Sequence, residues 1–294
     1  MQTANETLAS ILGPYKQSIE ELLEENIPNL GPMSPLRDAC EYALRNGGKR
    51  FRPALVLMIA KALNQQADVS KAALAIEYFH TASLIADDLP CMDNDDERRS
   101  KPTVHKVYGE PVALLTTFAL ISAGYNCLFE MSKTLKKNEI SKADYLCMLA
   151  LENASHNTGL FGATGGQYLD IVPPDLSLET VRDIIHQKTI TLFEISFVFG
   201  WIFGGGALDK LPLVKAAASY FGMAFQIADD IDDMTQDAMH NHPMNLANLF
   251  GKDFAFKMFH EEIRQFKLIQ RELQLDSTEL RALLGYLDSL VSIN

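Results

Sequence analysis

The run from Pro111 to Phe129, PVALLTTFALISAGYNCLF, contains no charged residue. Its length approaches that of a membrane span. Thr116, Thr117, Ser122 and Asn126 interrupt it, and Glu110 and Glu130 flank it where a span would carry Lys or Arg. The expectation is a buried central helix, with no transmembrane segment. A chain of 294 residues, 47% of them hydrophobic, can build a core around such a helix. A second apolar run, Ile195 to Leu208, is shorter and contains the triplet Gly204-Gly205-Gly206. It reads as a core helix with a glycine stop.

The remaining chain reads as helix after helix. Apolar residues recur at three and four, as in Leu55, Met58, Ile59 and Leu63. Pro53 suits a first helical turn, and Gly47-Gly48 suits the loop before it. Breaks are expected at Asn64-Gln65, Lys136–Asn138, Pro173-Pro174, Lys210–Pro212 and His240–Pro243. No alternating strand pattern persists. These features predict one all-α domain, residues 1–294, of about ten or more helices. A net charge of -12 argues against a general nucleic-acid binder but leaves room for a local basic pocket. Four scattered cysteines without CxxC spacing point to a reducing compartment, and a cytoplasmic location is expected. The start lacks a basic segment followed by an apolar one, so no secretory signal is expected.

Two aspartate clusters carry the chemistry. Asp87 and Asp88 close the apolar stretch ALAIEYFHTASLIADD, and Asp93 follows after Pro90. The second cluster, FQIADDIDD, holds Asp229, Asp230 and Asp233. On a helix Asp229 and Asp233 share a face, with Gln226 close to it. Like charges at that spacing repel unless a cation sits between them. Carboxylates suit Mg²⁺, which takes one or two of them together with waters and substrate phosphates. An acidic run is usually just a solvated helix end. Two such runs, each after an apolar helix, make that reading harder to sustain. An EF-hand is a poor alternative because its loop spacing and glycine are missing.

Basic residues complement these clusters. GGKRFRP at 47–53 offers Lys49, Arg50 and Arg52 beside exposed backbone donors, which suits a phosphate group. Arg98 and Arg99 follow the first cluster, and an arginine fork binds phosphate oxygens in pairs. Asp95, Asp96 and Glu97 have no metal role here and are expected to anchor the arginines. His80 lies two turns before Asp87 on the same helix face. Lys188-Thr189 falls in the helix-like run HQKTITLFEI. The plain alternatives are a surface salt network worth little, a packed histidine and an exposed lysine. No P-loop, Ser-His-Asp grouping or GxGxxG motif is visible. The set points to two anionic substrates, one bridged by Mg²⁺ and one held by Lys and Arg.

Taken together, these residues resemble the trans-isoprenyl diphosphate synthase family, which includes farnesyl and geranylgeranyl diphosphate synthases. The match runs in order through GGKRFRP (47–53), DDLPCMD (87–93), RR (98–99), KPTVHKVYGE (101–110), GGQYLD (165–170), KT (188–189) and FQIADDIDD (225–233). The resemblance implies an isoprenoid-synthase helical bundle around a deep central cavity, usually a homodimer. It implies Asp87, Asp93 and Asp229 as Mg²⁺ ligands, supported by Asp88, Asp230 and Asp233. Arg98 and Lys188 would hold the allylic diphosphate, with Thr189 and Gln226 near its reacting end. Lys49, Arg52, His80 and Arg99 would bind isopentenyl diphosphate. The implied reaction is ionisation of the allylic C–O bond, head-to-tail attack by isopentenyl diphosphate, and loss of a proton to the departing diphosphate.

In that family an aromatic residue five before the first aspartate limits the product to fifteen carbons. Ala82 stands there, followed by Ser83, so a twenty-carbon product is expected, with Tyr78, Phe79 or Phe118 as a deeper floor. The departures are Ala86 for a common His, Ser100 for a Gly, Thr117-Phe118 for Gly-Asp, DDIDD for DDILD, and MTQDAMHNHPMNLANLFGKD in place of a lysine-bearing run in which Lys252 is one remaining cation. The alternatives are a farnesyl diphosphate synthase, a non-catalytic partner subunit of an active synthase, and a terpene cyclase.

Overall fold

The computed structural model describes residues 4–63, 66–235 and 244–293. The expected breaks at Asn64-Gln65 and His240–Pro243, and residues 236–243 of the departing stretch after the second cluster, lie outside the described residues. The chain opens with α1 (Ala4–Asn26), α2 (Pro35–Leu44), α3 (Phe51–Leu63) and α4 (Ser70–Asp87). A two-stranded ladder follows, β1 (Glu97–Arg98) with β2 (Lys101–Pro102). Then come α5 (Val104–Tyr108), α6 (Glu110–Lys137), α7 (Ala143–Thr158), α8 (Ala163–Ile171) and α9 (Leu178–Ile185). A single π turn, His186–Ile190, leads into α10 (Thr191–Phe203). The chain ends with α11 (Leu211–Asp232), α12 (Leu246–Phe250), α13 (Lys252–Glu272) and α14 (Thr278–Ile293). The all-α expectation holds, apart from the short ladder that no alternating pattern announced.

The centre of the bundle is α10, built from the second apolar run. Every residue from Thr191 to Phe203 is buried except Glu194. A helix apolar on all sides must be enclosed on all sides. It packs on α3, α7 and α11. Gly200 allows the closest approach, because a Cβ there would stand 2.9 Å from the Val56 carbonyl oxygen. Glu194 accepts from Asn153 at 2.7 Å and Asn157 at 3.0 Å, and meets Lys215 at 3.2 Å. A charge inside an apolar helix is tolerated when it is matched in this way.

The first apolar run is not the central helix. Along α6 the residues Ala113, Thr117, Leu120, Gly124, Cys127 and Met131 are buried and recur at three and four. That face lies along α4. The other face leaves Leu114, Leu115, Phe118 and Phe129 exposed. α6 is the one helix among the described residues long and apolar enough to cross a membrane by length and composition. Its packing against α2, α4, α5 and α7 makes it part of the bundle wall.

Candidate active site

Helix α4 stops at Asp87, and the chain turns sharply, with the Asp93 N–H donating to the Asp87 carbonyl at 2.9 Å. This turn separates the adjacent aspartates. Asp88 is buried and accepts from Arg98 Nε at 2.5 Å, and Arg98 also reaches Asp95 at 3.0 Å. Asp96 pairs with Lys106 at 2.6 Å. Burial pushes the Asp88 carboxyl up, while Arg98 opposes the shift. Asp87 instead lines a cavity and makes no side-chain hydrogen bond among the described residues. Burial drives its carboxyl up to about 7, held back by Lys188 and reinforced by Asp93.

The ladder turns through Arg99 and Ser100, at φ 58° and 61°. Two successive left-handed residues make the tight hairpin turn whose twist matches the strands. The turn brings Arg99 back onto the 47–53 loop, where Arg99 Nη1 donates to the Gly47 carbonyl. Gly48 has φ 117°, and a Cβ there would stand 2.4 Å from the Arg99 guanidinium carbon. Only glycine permits both the backbone angle and that approach.

Behind this contact lies a basic cavity of about 680 Å³ that includes Lys49, Arg52, His80 and Arg99 with Phe51 and Phe225. The four residues predicted for one substrate are thus together. Arg50 is not among the binding cations. Its φ of 49° turns it inward, where it meets the buried Glu77, Glu20 and the Leu44 carbonyl. Arg52 stands 3.4 Å from His80 Nε2 and 4.8 Å above the Phe193 ring. Burial lowers Arg52 to about 10, with Glu77 and Asp229 opposing, so it keeps its charge at neutral pH. Burial, then Arg52 and Arg99, depress His80 well below its ordinary value, which leaves it neutral.

A second cavity, of about 320 Å³, runs between α4, α6 and α8. Asp87 and Lys188 supply its charge, and Phe79, Ala82, Ile121 and Leu192 supply apolar wall. Ala82 and Ser83 line it, as expected. Among the three candidate floor residues only Phe79 takes part. It packs on Gly124, whose Cβ would stand 2.5 Å from the ring, and edge-on to Tyr125 at 5.0 Å. Tyr78 is buried away from this cavity, and Phe118 faces outward on α6.

The π turn places Lys188 and Thr189. Gly165-Gly166 of α8 press against it, since a Cβ on Gly166 would stand 2.3 Å from the Lys188 nitrogen. Lys188 meets Asp170 of α8. Burial pulls its ammonium down, and Asp170, Asp87 and Asp93 more than reverse this. Thr189 donates to Gln226 Oε1 at 3.0 Å, and Gln226 Nε2 donates to Asp230 at 2.8 Å. Asp230 is buried and also accepts from the Leu246 N–H at 2.8 Å, which anchors α12. Asp229 acts on Arg52, so α11 faces the basic cavity from the other side. Asp233 caps α11 through its N–H to the Asp229 carbonyl at 2.9 Å.

The donor set fits Mg²⁺ in one specific manner. Among the described residues no three His, Cys, Asp or Glu side chains form a ready-made metal cage. Asp88 and Asp230 are committed to Arg98 and to Gln226 with α12. Asp87, Asp93, Asp229 and Asp233 bring further hard-oxygen carboxylates to the ends of α4 and α11. That suits an ion that completes its shell with water and substrate phosphate. Asp170, Glu77 and Gln167 escaped the sequence reading. Their signals were a motif without assigned roles (GGQYLD) and a lone acid within the apolar helix ALAIEYFH.

A model of the polyprenyl synthetase family matches residues 33–245. The heterodimeric geranylgeranyl pyrophosphate synthase large subunit 2 of Arabidopsis thaliana is 40% identical over 81% of this chain, which spans 61% of that protein's length. A trans-prenyltransferase of African swine fever virus is 32% identical over 89% of this chain and 78% of its own. Among solved structures, an FPP/GFPP synthase from Zymomonas mobilis superposes with a TM-score of 0.78 at 29% identity, covering 97% of both chains. With these motifs on this frame, the chain belongs to the polyprenyl synthetase family.

Proposed function

We propose that this protein is a Mg²⁺-dependent prenyltransferase that joins isopentenyl diphosphate head-to-tail to an allylic diphosphate, with geranylgeranyl diphosphate as product. The carrying observation is the pairing of two cavities along α4, one basic and one apolar with Asp87 and Lys188 on its wall. The names of the plant and viral relatives, a geranylgeranyl pyrophosphate synthase subunit and a trans-prenyltransferase, support the same reading.

Lys49, Arg52 and Arg99 bind the diphosphate of the isopentenyl substrate, and neutral His80 donates or accepts one hydrogen bond beside them. Lys188 and Arg98 face the allylic diphosphate, and the allylic tail lies in the apolar cavity. Bound Mg²⁺ would neutralise charge growing on the departing diphosphate, held through Asp87, Asp93, Asp229 and Asp233. The Thr189–Gln226–Asp230 chain fixes the amide of Gln226 beside the reacting end. The apolar walls keep water from the cation formed when the C–O bond breaks. The proton lost after attack goes to the diphosphate, so no dedicated side-chain base is required.

Ala82 and Ser83 leave the upper cavity open, and Phe79 closes it lower down, which supports a twenty-carbon product over the fifteen-carbon alternative. The exposed face of α6 supports assembly as a homodimer, or with a different subunit as the plant relative's name describes. One domain over 1–294 and a cytoplasmic location complete the proposal. The test is chromatography of products formed with Mg²⁺, isopentenyl diphosphate and dimethylallyl, geranyl or farnesyl diphosphate. Twenty-carbon product that disappears with excess chelator and returns with Mg²⁺ is expected. A fifteen-carbon end product refutes the length, and no consumption of isopentenyl diphosphate leaves the non-catalytic subunit.

A further inference from the structure

Gln167 lies on α8 one turn before Asp170, on the face that carries Thr164 and Ile171. It lines the same cavity as Asp87 and Lys188. Its Oε1 and Nε2 are both buried, and neither has a hydrogen-bond partner among the described residues. The serine and threonine hydroxyls on this wall are bonded locally. Thr117 donates to the Ala113 carbonyl at 3.3 Å, Thr164 to Thr158 at 2.7 Å, Thr158 to Ala154 at 2.8 Å and Ser83 to His80 at 2.9 Å. Gln167 alone among them presents an unsatisfied amide to the cavity.

Such an amide is costly for the fold. A buried polar group without a partner loses its hydration with nothing in return, and a leucine would fill the same wall without that cost. Asp170, one turn on, holds Lys188, which is proposed to grip the diphosphate. Gln167 therefore lies about one helical turn, ~5 Å, along α8 from the charged wall, at the level of the carbons next to the diphosphate. When the allylic C–O bond breaks, its electron pair leaves with the diphosphate. The remaining carbons carry a delocalised positive charge. A carboxylate there would be drawn toward an ester, and water would trap the cation as an alcohol. An amide carbonyl offers a fixed negative dipole with little nucleophilicity.

We propose that Gln167 is a further catalytic residue, presenting its amide carbonyl to the allylic carbons as positive charge develops on them. This rests on the prenyltransferase reading above. A dipole set in advance in a dry site stabilises such charge without reorganising.

The experiment uses the full chain with Mg²⁺ and the variants Gln167→Leu and Gln167→Met. Both are expected to lower kcat by about 100-fold, the lower end of the loss seen when one fixed oxyanion-hole dipole is removed, with KM for the allylic substrate within about 3-fold of wild type. Two unreactive probes separate charge from shape. One is a diphosphate whose tail carries an ammonium nitrogen at the cationic carbon, and the other is a neutral allylic thiolodiphosphate. The variants should bind the ammonium probe about 10-fold more weakly and the thiolodiphosphate unchanged. Thermal melting should show the leucine variant at least as stable as wild type. Equal loss of both probes, or unchanged kcat, overturns the assignment while wild-type turnover keeps the prenyltransferase reading. A wild-type protein that neither consumes isopentenyl diphosphate nor binds either probe overturns that reading first.

Discussion

At the scale of single residues, the site is assembled by placing charges where water cannot screen them. His80 shows the consequence most simply. Arg50 just before α3, Arg52 within it, and Arg98 and Arg99 of the hairpin act on it, with Glu77 on its own helix lining the same cavity. Its folded value lies below its unfolded one, so the unfolded chain takes up the proton first. Native stability contributed here is whole above pH ~6.5 and is lost progressively as pH falls below it. Urea melts of wild type and His80→Gln should therefore converge or cross as pH falls from about 7.5 to about 5.5. A constant difference across that range would show that His80 protonates freely. Ser100 makes the opposite kind of demand, on the backbone. A left-handed non-glycine residue costs about 1–2 kcal/mol, partly offset by the extra freedom glycine has when unfolded. Ser100→Gly should raise Tm by roughly 1–3 °C for a chain of this size, and a fall in Tm would mean that the serine side chain contributes more than the turn costs.

At the scale of elements, the parts that were legible and the parts that were not differ in what encodes them. The two aspartate clusters, the GGKRFRP loop and the KT pair carry their chemistry in residue type, and the fold brings them to one region. The adjacent aspartates could not be told apart in sequence. Asp87 faces a cavity and Asp88 faces Arg98 because α4 ends between them, and that ending depends on the turn through Asp93. The π turn was equally hidden, since no local residue pattern announces it. Its trace is the Gly165-Gly166 pair on a different element, which the turn's backbone touches. The two apolar runs differ in depth: the second is the core helix its composition implies, and the first is a half-exposed wall helix instead of a buried central one. Both are apolar in composition, but only α10 has neighbours on all sides, and composition does not count neighbours. One element makes a direct prediction about product. Phe79 on α4 closes the apolar cavity against Gly124 and Tyr125 of α6. Phe79→Ala should extend products beyond twenty carbons at a stability cost of about 3 kcal/mol. Unchanged product length in a folded variant would move the floor elsewhere.

At the scale of the whole molecule, the outward face of α6 is the feature the isolated chain leaves unfinished. Leu115 is 51% exposed, Phe118 56% and Phe129 58%, and α7 adds Tyr145 and Met148. Scattered apolar residues need no explanation, but a contiguous patch on a soluble chain is usually covered. The same helix carries the buried stripe that packs on α4, so the floor of the apolar cavity and the exposed patch share one element. Two copies joined through this face would bury it, as an interface of standard size requires. Light scattering on the purified protein should give twice the chain mass of 32.7 kDa. The double variant Leu115→Glu, Phe118→Glu should shift the mass toward one chain, since both side chains point outward and neither packs in the core. Its helical content should stay unchanged. If α6 is held straight by its copy, the monomeric variant should also lose product-length fidelity, because Gly124 would no longer fix Phe79. A wild-type protein that remains a single chain at micromolar concentration would rule out self-assembly through this face and leave a different subunit as its cover.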